Sequence, residues 1–133
     1  MPTSRKKQQK PVDLSALFAL MESWPRSWAG SDDDIPVGEG LVAEFKPFIA
    51  HLGSLGLALS TIRKHLDNTW VIGGEIIREV IDEPSRRKMN PRKLLLEAID
   101  LGEAPLVHSF SEQDQRSLDA TARKILKFLN RKD

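Results

Sequence analysis

The stretch STIRKHLDNTWVIGGEIIREVI, residues 60–81, decides the fold. Ile62, Leu66, Trp70, Ile76, Ile77 and Val80 recur at helical spacing and make one apolar stripe, with charged residues between them. No two-residue alternation runs through it, so it reads as a helix. Ser60 is the expected N-cap and Thr61 to Ile81 the helix body. Gly73 and Gly74 interrupt the pattern, each costing up to about 1 kcal/mol against alanine. Either a close helix crossing or a bend at that point would account for them.

Similar periodicity extends to both sides. A helix over 39–55 carries Leu41, Phe45, Phe48, Ile49, Leu52 and Leu55 on one stripe. Pro47 predicts a kink in it, or a start nearer Lys46, and Gly56 is placed to stop it in left-handed conformation. Gly38-Glu39-Gly40 reads as the approach to this helix. Downstream, Asn90 and Pro91 announce a short helix through Asp100 with Leu94, Leu95, Ala98 and Ile99 as its core face. Ser111 and Asp114 open a last helix over 112–131, which buries Leu118, Ala122, Ile125, Leu126 and Leu129. Upstream, Asp13 is the expected cap of a short helix over 14–23, with Val12 stapled against Leu17 and Pro25 as terminator. Residues 24–37 read as a loop in which Trp24 and Trp28 cover the core edge. Gly102 to Phe110 reads as a second loop, with Leu106–His108 the one fragment compatible with a strand.

Composition bounds the rest. A chain of 133 residues with 40% hydrophobic and 29% charged residues has the size and content of one folded domain. Residues 1–12 are expected to be a disordered basic arm, and 13–133 a single helical domain. The absence of cysteine excludes disulfides and thiolate chemistry. No apolar run reaches membrane-spanning length, and the basic N-terminus has no apolar segment after it, so the expectation is a soluble cytoplasmic protein with no membrane contact. The net charge of +1 is unevenly spread. Arg5, Lys6, Lys7 and Lys10 make the arm +4, whereas 13–59 carries −5 and 60–133 carries +2.

From Leu41 to Ile81 the chain resembles the start of the SAM-like core-binding domain of tyrosine recombinases and phage integrases. Phe48 and Leu52 on one helix, the turn Gly56-Leu57-Ala58-Leu59-Ser60-Thr61-Ile62-Arg63, and Leu66 and Trp70 on the next helix carry the resemblance. It implies a SAM-like four-helix orthogonal bundle, here with an additional short N-terminal helix, and the four helices agree in number and order. It also implies that the start of the 60–81 helix faces DNA. The recombinase reaction needs a separate catalytic domain with a nucleophilic tyrosine. This chain has no tyrosine, so the resemblance implies a solitary binding module, similar to short uncharacterised bacterial proteins of this build.

The candidate site follows from two clusters. Ser60 and Thr61 hydroxyls, helix-start amides, Arg63 and Lys64 form a chemically suitable phosphate site. Arg86, Arg87, Lys88, Arg92 and Lys93 form a second, with no acid between Arg86 and Lys93. Arg123, Lys124, Lys127, Arg131 and Lys132 add a third group on the last helix. All three also fit ordinary solvated helix faces. The leading expectation is a non-catalytic module that binds double-stranded DNA. The alternative is a protein–protein interaction module or small homodimer with no nucleic-acid role, anchored by Trp24, Trp28, Phe110 or Phe128. Neither catalysis, a cofactor nor a metal is expected. His51, His65 and His108 form no helical pair, Asp32, Asp33 and Asp34 lack an EF-hand pattern, and Glu75 and Glu79 read as a surface pair.

Overall fold

The structure, a computed structural model, describes residues 12–131. Except for Val12, the basic arm expected at 1–12 lies outside the described residues, as do Lys132 and Asp133. The fold is all-α. Its helices are α1 (Ser15–Met21), α2 (Trp24–Trp28), α3 (Ile35–Ser54), α4 (Leu59–Asp82), α5 (Pro91–Ile99) and α6 (Glu112–Asn130). Short 3-10 turns occupy Asp32–Asp34 and Pro84–Lys88. No strand occurs among the described residues, and Leu106–His108 is loop.

Helix starts obey their local chemistry. Asn90 Oδ1 accepts hydrogen bonds from the N–H groups of Arg92 and Lys93, and Pro91 occupies a position where no amide is needed. Ser111 Oγ accepts from Asp114 N at 3.0 Å. Asp13 lies one residue before the α1 cap position, where its carboxylate accepts from the amide and the hydroxyl of Ser15. Gly56 takes φ +76° after α3, the left-handed geometry expected of it.

Several expectations are corrected. Pro25 does not end a helix and begin a loop. It sits at the start of α2, where a missing N–H costs nothing, so the expected 24–37 loop is largely helical. Gly38 and Gly40 lie inside α3, and α3 continues across Pro47. Gly40 lies against the ring of Pro91, which brings α5 close to α3. Leu55 and Trp70, expected inside, are 57% and 43% exposed. Leu126 and Leu129 are half-buried and pack on the core from outside.

One core joins all six helices. Leu17 and Met21 of α1, Phe45 and Ile49 of α3, Ile62 and Ile72 of α4, Leu95 of α5 and Leu118 of α6 are among its buried members. The long helices α3 and α4 pack together, with α2 and α5 also on α3 and α6 also on α4. Trp28 settles the role of the paired glycines. Its indole lies over Gly73 and its Nε1 donates to the carbonyl of Trp70 at 3.1 Å. Trp70 in turn donates from Nε1 to Ser27 Oγ at 3.2 Å. The close crossing is thus between α4 and a tryptophan of α2, and Trp70 clamps it from outside.

Candidate nucleic-acid interface

The first cluster lies at the start of α4. Ser60 is not the cap. Extended Ala58 (φ −63°, ψ 148°) holds that position, with no side-chain cap. Its carbonyl accepts from Thr61 N at 3.0 Å and Ile62 N at 3.1 Å. Ser60 and Thr61 are therefore in the first turn of α4, and both are exposed, as are Arg63 and Lys64. Successive helix residues are about 100° apart, so the two cations lean to different flanks. Lys64 lies one turn before Asn68, which bonds α6, and Arg63 one turn before exposed Asp67.

The second cluster is locally acid-free in sequence but not in space. Arg86 Nη2 donates to Glu97 Oε1 at 2.9 Å and lies 3.9 Å from Glu79 Oε1. Arg92 Nε donates to Glu44 Oε1 at 2.9 Å. Arg87 Nε donates to Oδ1 of Asp34, whose side chain is 1% exposed. The hydrogen bond from Arg86 to Glu97, opposed by desolvation and reinforced by the charges of Glu97, Glu79 and Glu83, holds the guanidinium pKa above its ordinary value. These arginines act as ties between α3, α4, α5 and the two 3-10 turns. Among the described residues, Lys88 and Lys93 enter no ion pair, and both are exposed.

Asp34 belongs to this tie, and that removes it from any cation site. Its Oδ2 accepts from Gly30 N at 2.9 Å and Ser31 N at 3.1 Å. Desolvation pushes its pKa up, but Arg87 and the two amides outweigh it and hold the carboxyl below its ordinary range. No group of three or more His, Asp or Glu able to hold a metal occurs among the described residues.

The third basic group is where the tertiary structure concentrates charge. Residues 45–66 contain no Asp or Glu, and neither do residues 120–132. The fold places residues 45–66 beside residues 120–131. His65 Nδ1 and Thr121 Oγ1 share a hydrogen bond of 2.8 Å, and Asn68 Nδ2 donates to the same hydroxyl at 2.8 Å. Burial, aided by nearby Lys124, lowers the His65 pKa. Farther out, the Phe48 and Phe128 rings meet edge-on at 5.9 Å, and His51 lies 5.1 Å from Phe128. A groove of about 320 Å³ opens here between α3 and α6, with Lys124, Lys127 and Arg131 on its α6 side.

The polar layer of His65, Asn68 and Thr121 was not anticipated from the sequence. Its signal was present, since all three fall on otherwise apolar helix faces. Arg86, Arg87 and Arg92 were expected to face DNA, but each is paired with carboxylates: Arg86 with those of the flanking helices, Arg87 and Arg92 with residues far away in sequence. No helix among the described residues is long and apolar enough to cross a membrane. Comparison with protein-family models, curated proteins and solved structures finds no match for this chain.

Proposed function

We propose that this chain is a non-catalytic module that binds double-stranded DNA through its phosphates, at the end of the molecule where α4 begins and α6 finishes. One observation carries the reading. Two stretches without a carboxylate, 45–66 and 120–131, pack against each other and leave Arg63, Lys64, Lys124 and Lys127 exposed. Exposed cations that outnumber the acids beside them, here Asp67 one turn from Arg63, raise the local potential and attract a polyanion, even when the whole chain is near neutral. The basic arm, Arg5 to Lys10, adds to the attraction. The resemblance to a SAM-like core-binding domain supports the same reading, because it implies that the start of α4 faces DNA. Lys88 and Lys93, which follow the far end of α4, make a contact separate from this one, whereas Arg86, Arg87 and Arg92 serve the fold.

The test is duplex binding followed by fluorescence anisotropy over a series of salt concentrations. Affinity is expected to fall steeply with salt. Replacing Arg63 and Lys64 by alanine lowers the slope of log affinity against log salt by about 2, near 0.9 for each phosphate that is no longer neutralised. Absence of any duplex binding at low salt overturns the proposal.

A second reading, association with another protein or a second copy, has its own observation. Leu20 and Trp70 are 49% and 43% exposed and line one groove with Trp24, Leu66 and Val71. Exposed aromatic and aliphatic groups beside a groove suit an interface. Self-association through it gives a mass that rises with concentration and falls back on Trp70→Ser. A monomer at all concentrations removes the homodimer form of this reading.

A further inference from the structure

The groove between α3 and α6 has a feature that phosphate binding does not need: an apolar floor. Phe48, His51 and Leu52 of α3, with Leu55 at its C-cap, line it from one side. Lys124, Lys127 and Phe128 of α6, with Arg131 at its C-cap, line it from the other side. Both sets follow the same spacing, i, i+3, i+4 and i+7. That spacing is one helical face about two turns long. Two ridges of this kind, with a trough between them, are what a third helix packs into.

The distribution of chemistry across the trough is also uneven. Phe48 and Leu52 are buried at its base and Leu55 is 57% exposed at its rim. Lys124 and Lys127 stand exposed along the α6 side, and no carboxylate lines the groove. A partner that buries leucine or phenylalanine side chains on the floor must place its flanks against lysines. Carboxylates satisfy them, and lysines or arginines are repelled. The basic arm of this chain has the wrong charge and too few apolar residues to be that occupant.

We infer that the α3–α6 groove is a docking site for an acidic amphipathic helix of a partner protein, its apolar face on Leu55 and Phe128 above the buried Phe48 and Leu52, and its carboxylates against Lys124 and Lys127. The occupant carries apolar residues at i, i+3, i+4 and i+7 over about two turns. Because Lys124 and Lys127 also serve the proposed DNA contact, such a helix displaces duplex and regulates the module. The inference itself does not require DNA binding, since peptide docking is read in the absence of DNA.

The experiment uses the full chain and three synthetic, fluorescently labelled helical peptides. The first has leucines on one face and glutamates elsewhere. The second has the same composition with the leucines scattered around the helix. The third has the leucine face with lysines in place of glutamates. The first is expected to bind in the micromolar range and the scattered peptide at least about tenfold more weakly, since it presents no continuous apolar face. With Lys124→Glu and Lys127→Glu together, affinity for the acidic peptide falls about tenfold or more and the lysine peptide gains. A second variant, Leu55→Ser at the exposed rim, weakens both peptides in their matched proteins without touching the core. Equal binding of the facial and scattered peptides, or no binding of the facial one, overturns the inference. So does an affinity unchanged by the charge reversal. If duplex binds and the peptide does not, the groove proposal falls and the DNA proposal stands. The reverse result separates them the other way.

Discussion

A Cβ built on Gly73 would stand 2.4 Å from Cζ2 of Trp28, inside the volume the indole already fills. The neighbouring Gly74 differs. Its nearest contacts are Cδ1 and Nε1 of the same ring, both at 3.4 Å. Of the two adjacent helical glycines, Gly73 is the one that the packed indole requires. Gly73→Ala gains about 1 kcal/mol of helix propensity but forces a rigid, hydrogen-bonded ring to move, at about 1–3 kcal/mol. The expected result is net destabilisation by about 1–2 kcal/mol. Gly74→Ala keeps most of the propensity gain and is expected to be neutral or to stabilise by up to about 1 kcal/mol. Urea unfolding of the two variants checks the contrast. Equal effects would mean that Trp28 does not rest on Gly73.

The Asp34–Arg87 tie predicts a pH dependence. A carboxyl held below its ordinary value of 3.8 contributes stability that is fully present above that value. The contribution is lost as pH falls through the lowered folded-state pKa. Asp34→Asn removes the charge from Arg87 and from two amides, and is expected to cost about 1.5–3 kcal/mol at pH 7. The gap between wild type and variant narrows as the pH drops below 3.8. Parallel denaturant titrations at neutral and acidic pH would show it, and a gap independent of pH would contradict the pairing.

His65 acts in a different window. Its pKa is lowered from 6.5, first by burial and then by Lys124, so the folded protein favours the neutral ring. The unfolded chain takes up the proton first as the pH falls. Stability is therefore complete above 6.5 and declines as the pH falls through the lowered folded value. His65→Gln removes this component of the decline. Lys124→Ala, which withdraws the nearby cation, shifts the His65 titration upward. Imidazole resonances followed by NMR give the direction without reference to stability.

The basic residues divide into ties and free cations, and variants should divide the same way. Replacing Arg86 and Arg87 by alanine breaks pairs to Glu97 and Asp34 and lowers stability by about 1–3 kcal/mol. Replacing Lys124 and Lys127, exposed and without ion pairs among the described residues, changes stability by no more than about 0.5 kcal/mol. Thermal denaturation distinguishes the two pairs. An Arg86/Arg87 variant as stable as wild type would show that those ion pairs hold nothing.

Local chemistry alone was enough for much of the fold. The periodic leucines and isoleucines of α3, α4 and α6, the Asn90 and Ser111 caps and left-handed Gly56 each depend on neighbours within a turn. A helix face and a cap are short-range objects, so their signal is written in adjacent residues. Three other features were settled elsewhere: Trp70 points outward, Arg86, Arg87 and Arg92 are spent on carboxylates, and the two acid-free stretches meet. Each depends on which helix lies against which, and at what rotation. Packing over the whole core sets that, through contacts such as Trp28 on Gly73 and Pro91 on Gly40, between residues dozens of positions apart. For Arg87 and Arg92, whether the charge is free or paired is set by residues 53 and 48 positions away, outside any local window.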